Sequence, residues 1–456
     1  MKEQKIKARK SALIPLIVFI AIYLGAGITL QIKGVDMAFY QFPSPVAIVI
    51  GIVVAFFLFK GTMEEKFSLF AKGCGDENVL TMCFIYLFAG AFARVASDMG
   101  GVDSVVNLGL SVIPPQYIPA GLFVISAFIA VATGSSMGTI SAIGVIAIAI
   151  SEKAGLNGAL VIAAIVGGAM FGDNLSMISD TTIAATRTQG VEMSDKFKVN
   201  LSIAIPPAVL TFLLLLIFGK PEMIIPVESL DFQVVKMIPY IIVLVLAIIG
   251  FNVFITLGLG IVVAGAIGIF YGDLNILTWA QGVYNGFTSM TEIFLLSLFA
   301  GGLAYMVTQN GGLEWLIEKI KKLIRGERSA EVGIAAIASL ADCAIANNTI
   351  AIIITGPIAK ELCESYRVDP RKSASLLDIW ACVFQGLIPY GAQILLAISL
   401  TAGTSLKVSP LDLIPLLWYQ MLLAVFAIIS IFIPYDRLLI KKRPWDFTTW
   451  RAKEEK

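Results

Sequence analysis

The sequence predicts an all-α polytopic membrane protein made of two inverted-topology repeats, with broken helices, re-entrant hairpins or both. Three observations support this prediction. Of the 456 residues, 58% are hydrophobic and 14% are charged, whereas soluble proteins average about 45–50% and about 25%. Apolar runs of membrane-spanning length recur along the whole chain. The second half of the chain repeats the first, with its basic loops at the opposite ends of the helices.

Fifteen apolar segments follow one another and leave no room for a soluble domain. Several are shorter than the roughly 20 residues that a spanning helix needs, and they meet at polar or glycine-rich joints. Such joints indicate helices that stop inside the membrane. The segments lie at 13–30, 44–59, 79–97, 117–133, 136–150, 158–171, 199–218, 236–250, 253–270, 291–309, 331–346, 349–363, 373–388, 389–402 and 411–434.

The two halves of the chain are copies of one unit. The stretch 87–106 aligns without gaps to 298–317, with seven identities in twenty at an offset of 211. The motifs GTIS at 138–141 and NTIA at 348–351 continue the match at an offset of 210. The predicted organisation is a first repeat at 1–218, a linker at 219–235, a second repeat at 236–434 and a basic cytoplasmic tail at 435–456.

The distribution of Lys and Arg shows that the copies have opposite orientations. The loop 98–116 has no basic residue, while its counterpart 310–330 has five. Conversely, 60–78 contains three lysines and its counterpart 271–290 contains none. Because short cytoplasmic loops collect Lys and Arg, equivalent loops face opposite sides of the membrane. Both termini are basic, so both are expected in the cytoplasm. Inverted repeats of this kind are typical of secondary transporters.

Composition excludes several classes of function. The chain has no histidine, which rules out a His-ligated metal, a Ser-His-Asp triad and a histidine proton relay, so carboxylates are the expected proton carriers. The net charge of +1 lacks the basic surplus of a nucleic-acid-binding protein. Five cysteines without a CxxC pair are typical of apolar helix fillers. No phosphate loop supports ATP-driven transport, and we expect neither an enzyme nor a cofactor.

Four polar interruptions divide the apolar segments, two in each copy. The interruption at 133–139 corresponds to 341–349, and that at 172–182 corresponds to 385–393. Glycine permits unusual backbone dihedrals, proline removes a donor, and Ser, Thr and Asn re-satisfy freed backbone groups. In inverted-repeat transporters the site lies at such matched interruptions near mid-membrane, so we expect the site here.

The interruption at 172–182 predicts a Na+ site. Its two carboxylates lie seven residues apart in apolar surroundings, where each costs about 2.5–3.5 kcal/mol on insertion scales. Carboxylate, hydroxyl and amide oxygens are hard ligands, suited to a hard cation such as Na+. The candidate ion-binding and proton-coupling residues are Asp173, Asn174, Ser176, Ser179, Asp180, Thr181 and Thr182, with Na+ at Asp173 and Asp180.

The first-copy motifs TGSSMGT and GDNLSMISDTT resemble the T-G-T-S-W-G-T and G-D-x-x-S-P-x-S-D-T-T signatures of the NhaC-type Na+/H+ antiporters, members of the ion transporter superfamily. The resemblance implies a scaffold subdomain, a transport subdomain with re-entrant elements, and Na+ coupling through Asp173 and Asp180. It also implies a prokaryotic plasma membrane. The sequence departs at Met137 and Met177, where Trp and Pro are usual, and this leaves the transported solute open.

Two transport modes remain open. In Na+/H+ antiport one carboxylate alternates between Na+ and H+, with Asp180 as the expected exchanging group and Asp173 as its partner. In Na+-coupled uptake of an amino acid or similar small organic solute, the second copy would hold the solute, with Asp342 or Asp378 receiving an ammonium. The candidate substrate-binding residues are Thr133, Ser135, Ser136, Thr139, Asp342, Asn347, Asn348, Thr349, Asp378, Gln385, Tyr390 and Gln393.

The expected partners follow from these two modes. They are the lipid bilayer, Na+ and either H+ or a small organic solute, with Na+ and H+ as coupling ions rather than cofactors. A homodimer stays open as an assembly. A channel would need a continuous polar path, whereas matched broken helices favour alternating access. An intramembrane aspartyl protease is disfavoured because nothing in the sequence supplies a substrate cleft.

Overall fold

The computed structural model describes residues 7–33, 35, 41–177, 179–221, 231–248, 251–401, 404–406, 408–433, 435–437, 444–447 and 450. In this part of the chain all regular secondary structure is helical. Eight of its helices are long and apolar enough to cross a membrane, or up to nine if one bent pair counts as a span. Most of the predicted linker and basic tail lies outside the described residues. The fold is the all-α polytopic membrane fold that composition predicts.

The described part of the first copy contains ten α-helices, and local signals set their ends. Asn157 caps α8 by accepting from the N–H of Leu160 at 3.0 Å, and Gly190 ends α9 in the left-handed conformation. The helices are α1 Ile14–Ile32, α2 Ser44–Leu58, α3 Met63–Cys74, α4 Glu77–Asp98, α5 Gly101–Val112, α6 Ile118–Thr133, α7 Ser136–Ala154, α8 Gly158–Leu175, α9 Asp180–Gln189 and α10 Met193–Phe218.

The second copy reproduces this order. Helices α2 to α9 have counterparts in α12 to α19, at offsets close to those of the sequence motifs. The helices are α11 Val234–Ile248, α12 Val253–Tyr271, α13 Ile276–Ser289, α14 Thr291–Gln309, α15 Gly312–Lys321, α16 Glu327–Ile345, α17 Asn348–Tyr366, α18 Pro370–Leu387, α19 Ala392–Ser399, α20 Pro410–Leu413 and α21 Trp418–Phe432. Helix α11 begins at Val234, inside the predicted linker at 219–235.

The helices form two packed groups. The scaffold group contains α1–α4 and α11–α14, in which α4 packs on α13 as α14 packs on α3. The site group contains α6–α10, α16–α19 and α21, in which α6 packs on α8 as α16 packs on α18. Each of these pairings has an equivalent when the two copies are exchanged. The structure therefore has the two inverted repeats that the charge pattern predicts.

Two hairpins, α6–α7 and α16–α17, turn at equivalent positions. Gly134 and Ala346 both adopt the left-handed conformation, with φ of 67° and 54°. The next residues, Ser135 and Asn347, each cap the following helix by accepting at 3.0 Å from the N–H three residues on. A left-handed alanine costs about 1–2 kcal/mol, which the surrounding packing must offset. The two turns thus share one geometry despite their different sequences.

Helices α6 and α8 pack in backbone contact. A Cβ on Gly168 would lie 2.2 Å from the carbonyl oxygen of Phe123, and one on Gly172 would lie 2.2 Å from that of Ala127. The spacing of four residues puts both glycines on one helix face, and small residues let membrane helices approach closely. This contact brings the tip of the first hairpin against the end of α8, where the helix breaks.

Candidate cation and substrate site

Two helix breaks and two hairpin tips meet at one place. The first break separates α8 from α9, and the second separates α18 from α19. Gln393 Nε2 donates to Ser136 Oγ at 3.1 Å, and Thr349 Oγ1 donates to Asp180 Oδ2 at 2.7 Å, so each bond joins one copy to the other. The tips thus lie beside breaks within spanning segments.

Asp173 accepts more hydrogen bonds than Asp180, the other carboxylate of the first break. It is 7% exposed. Its Oδ2 accepts from Ser136 Oγ at 2.7 Å and from the Ser136 N–H at 3.2 Å. Its Oδ1 accepts from Ser179 Oγ at 2.6 Å, which also contacts Thr181 Oγ1 at 2.9 Å. Among the described residues no Lys or Arg forms an ion pair with Asp173. A buried carboxylate surrounded by hydroxyl oxygens, with no basic side chain, has the chemistry of a hard-cation site.

Asp180 lies in a different environment, because it is exposed and begins α9. Its Oδ1 accepts from the Thr181 N–H at 2.9 Å, while its Oδ2 holds Thr349 of the second hairpin. A carboxylate at a helix N-terminus is favoured by the helix dipole. The sequence analysis treats the two aspartates as one pair. In the structure, Asp173 lies in a buried cluster of oxygen atoms, whereas Asp180 lies at the accessible N-terminus of α9.

The other oxygen-bearing residues of the first break face two neighbourhoods. Ser176 Oγ donates at 2.8 Å to a backbone carbonyl of α6, which ties the break to the first hairpin. The backbone carbonyl of Asn174 and the hydroxyl of Thr182 instead face Lys196. The ammonium of Lys196 donates to the carbonyl at 2.9 Å and to Thr182 Oγ1 at 2.8 Å. The same ammonium forms an ion pair with Asp378 of α18. Asp378 is therefore part of the first break's surroundings, although it belongs to the second copy.

Sequence reasoning missed Lys196 and Asn200. Lys196 lies in the first turn of α10 and is 1% exposed, and Asn200 is fully buried one turn later. Asn200 Nδ2 donates to the Asn174 carbonyl at 2.8 Å. Lys196 belongs to the charged stretch 192–198, which is typical of a loop. The four-residue spacing of Lys196 and Asn200 places both side chains on one face of α10, and this spacing is the sequence signal that could have identified them.

The second break is lined by neutral groups and one buried acid. By the repeat offset of 212, Gln385 corresponds to Asp173. With the amide orientation assigned so that both of its polar atoms are satisfied, Gln385 donates to Asp342 Oδ1 at 3.0 Å and accepts from the Ala392 N–H at 3.1 Å. Tyr390 OH donates at 2.7 Å to a backbone carbonyl of α16. The two breaks are equivalent in backbone and different in charge.

Several predicted substrate residues have local bonds. Ser135 and Asn347 are the helix caps described above, and Thr139 Oγ1 donates to the Ser135 carbonyl at 2.9 Å. Asn348 Oδ1 accepts from the next N–H at 3.0 Å. The side chain of Thr133 lies outside the described part of the structure. These polar groups hold the hairpin tips in shape, and their role toward a solute stays a prediction.

A cavity of about 170 Å³ lies between the scaffold group and the second hairpin. Its lining includes Asp76 and Thr308, which lie where α4 begins and α14 ends, and Ile345 of the hairpin. A smaller cavity at the hairpin tip is lined by Asn347 and Tyr390 and shares part of this lining. Together they lead from the face that carries the basic loops to the second hairpin tip.

Inverted repeats with two broken helices, two hairpin tips and a buried carboxylate cluster define a secondary transporter. The chain belongs to the Na+/H+ antiporter family, whose model matches residues 4–220 and again residues 221–433. The two matches correspond to the two repeats of the structure. The family that the two first-copy motifs predict is thereby confirmed, and so is the prediction of a transporter rather than an enzyme.

Three of the similar proteins are named as antiporters. A malate-2H+/Na+-lactate antiporter of Bacillus subtilis is 24% identical over 78% of this chain and 81% of its own length. The arginine/ornithine antiporter ArcD of Halobacterium salinarum is 23% identical over 84% of each chain. The Na+/H+ antiporter NhaC of Alkalihalophilus pseudofirmus is 29% identical over 49% of this chain and 52% of its own length.

Proposed function

We propose that the protein exchanges Na+ for H+ by alternating access, with Asp173 as the carboxylate that carries either ion. The burial of Asp173 among hydroxyl donors, without a described basic partner, is the observation that carries the proposal. Na+ would take the Asp173 carboxylate and the oxygens of Ser136 and Ser179. A buried carboxylate with neither ion is costly. Release of one ion therefore favours binding of the other, which couples their movements.

Asp180 has a separate role in this proposal. It is exposed and bonded to Thr349 of the second hairpin, so it would receive the cation at the mouth of the site before Asp173 binds it. It would also link cation arrival to the position of the second hairpin. This division of labour revises the expectation that Asp180 itself exchanges the two ions, and no cofactor is needed in it.

The orientation follows from the basic loops. By the positive-inside rule, α3 with Lys66 and Lys72 and α15 with Lys319 and Lys321 lie at the cytoplasmic face. The two basic termini lie at the same face by the same rule. The large cavity opens beside these ends, so the proposed state faces the cytoplasm of a prokaryotic cell. Return to the outward-facing state requires the site group to move against the scaffold group.

Na+-coupled uptake of an amino acid or similar small organic solute is the second candidate. It is favoured by the second break, where Gln385 replaces the equivalent of Asp173 and the one buried acid is Asp342, and by the cavity that reaches Asn347. Two of the relatives carry organic ions in their names, malate and lactate in one and arginine and ornithine in the other. In this mode Na+ would stay at Asp173, and the solute would occupy the second hairpin tip.

A proteoliposome assay distinguishes the two modes. Purified protein is reconstituted, an inward Na+ gradient is imposed, and internal pH is followed with no organic solute present. A Na+-driven rise in internal pH supports antiport. No pH change, with Na+-driven accumulation of labelled arginine, malate or lactate, contradicts antiport and supports uptake. Protein-free liposomes and the variant Asp173→Asn are the controls, and neither should respond.

A further inference from the structure

Lys196 carries a positive charge into the interior of the site group. Its side chain is 1% exposed, and its ammonium donates to three oxygens of different kinds. These are the Asn174 backbone carbonyl at 2.9 Å, Thr182 Oγ1 at 2.8 Å and the Asp378 carboxylate. The three N–H donors of an ammonium are all used by this set. Lys196 is thus held in one place rather than reaching toward solvent.

The oxygens around Lys196 have the composition of a cation site. One carboxylate, one hydroxyl and one backbone carbonyl are the hard ligands that a bare alkali cation would take. The first of these oxygens, the backbone carbonyl of Asn174, belongs to the residue that follows Asp173 in the chain. A buried ion pair often adds no stability over apolar residues of the same volume. The presence of a charge here is therefore better explained by what it does to the neighbouring cation site.

The carboxylate of Asp378 has spare capacity. It is fully buried, and its Oδ1 has no hydrogen-bond partner in the described part of the chain. Its Oδ2 is shared between Lys196 and Asn200 Nδ2, the latter at 3.4 Å. If the ammonium were absent, Asp378 Oδ2, the Asn174 backbone carbonyl and the Thr182 hydroxyl would remain around the position that it occupies. A charged, oxygen-lined position would then stand open beside Asp173.

We propose that the ammonium of Lys196 is a tethered cation that permanently fills a second cation position and so limits the protein to one exchangeable Na+. Lys196 is then a positioning residue that sets the number of ions moved in each cycle. The count of one rests on the proposed Na+ site at Asp173, whereas the second position rests on Lys196 and its oxygens alone. Substituting the lysine should open that position to Na+.

The test measures how much radioactive Na+ the purified full-length protein binds at saturation. Wild type is expected to bind one Na+ per chain, and Lys196→Met is expected to bind a second. Lys196→Met/Asp378→Asn, which removes the carboxylate as well, should return to one. Lys321→Met is the matched control, because it removes a lysine whose partner is 63% exposed outside the site. An unchanged Na+ count in Lys196→Met, or a second Na+ that survives Asp378→Asn, overturns the proposal.

The outcomes separate this proposal from the proposed function. No bound Na+ in wild type but one in Lys196→Met refutes Na+ binding at Asp173 and still supports the tethered cation. Folding is followed by size-exclusion profile and unfolding temperature, with Lys196→Ala as a second variant that leaves room for water. Na+, but not choline, should raise the unfolding temperature of both variants by more than it raises that of wild type, which binds one Na+ fewer. If neither folds even in NaCl while the double variant does, Na+ cannot replace the ammonium and the proposal fails.

Discussion

Removing the Ser136 hydroxyl tests whether Asp173 is the Na+ ligand. Ser136 Oγ donates to Asp173 at 2.7 Å and accepts from Gln393 at 3.1 Å. In the proposed Na+-bound state the Ser136 oxygen contacts the cation instead, and we take the loss of this contact as that of an interaction with a charged group, about 1.5–3 kcal/mol, where about 1.4 kcal/mol is a factor of ten in an equilibrium constant. We therefore expect Ser136→Ala to weaken Na+ affinity roughly 10- to 150-fold. The measurement is the half-saturating Na+ concentration for Na+-driven pH change in proteoliposomes.

A second serine of the same helix supplies the matched control. Ser141 is fully buried on α7, but its Oγ donates at 2.9 Å to the Gly138 carbonyl within the helix. Ser141→Ala makes the same chemical change without touching Asp173, so its half-saturating Na+ concentration should equal that of wild type. If the two serine variants show the same Na+ dependence, Asp173 does not bind Na+ through this cluster.

Three further predictions concern charge and packing. Asp180→Asn is expected to raise the half-saturating Na+ concentration in the same transport assay, because it removes the accessible carboxylate that receives the cation. Gly172→Ala would place a Cβ 2.2 Å from the α6 backbone, and we expect about 1–3 kcal/mol of lost stability, measured as a lower unfolding temperature. Lys372→Met leaves the fully buried Asp436 without the ammonium that lies 2.6 Å away, and we expect about 3–5 kcal/mol of lost stability, measured by denaturant unfolding.

The glycine and lysine predictions have matched controls, and each of the three has a result that would contradict it. Gly121→Ala lies on α6 with nothing within 4 Å of the new Cβ, so it should be neutral or gain up to about 1 kcal/mol. Lys321→Met removes a half-exposed ion pair worth about 0–1 kcal/mol. Equal unfolding temperatures for the two glycine variants, or equal losses for Lys321→Met and Lys372→Met, would contradict the packing and ion-pair arguments. An unchanged half-saturating Na+ concentration in Asp180→Asn would remove that residue from the site.

Residue types at the two hairpin tips signal part of the local geometry, although the sequence left open whether these segments are re-entrant hairpins. Ser135 and Asn347 stand where caps are needed, and each follows a residue that ends a helix in the left-handed conformation. Gly134 signals that conformation in the sequence, but Ala346 does not, because alanine adopts it only when tertiary packing offsets the cost. The repeat offset was needed to recognise the second tip.

The partners of the charged residues were less predictable. Asp173 and Asp180 lie seven residues apart in sequence, yet one is buried and the other exposed, because the helix breaks between them. Asp378 was expected near a solute ammonium, whereas its described cationic partner is Lys196, 182 positions away. Sequence spacing carries no information about contacts between segments that are brought together only by packing of the two copies.

By itself, the sequence determined the membrane class, the two inverted repeats and the polar interruptions, since all three depend on local composition and on charge counts in short loops. It also located the carboxylate and hydroxyl side chains of the first break. Only the tertiary structure decided which of these side chains lie together, because that depends on how close α8 comes to α6 through Gly172 and on where α10 carries Lys196. In our proposals, the number of cations that the site holds therefore depends on packing.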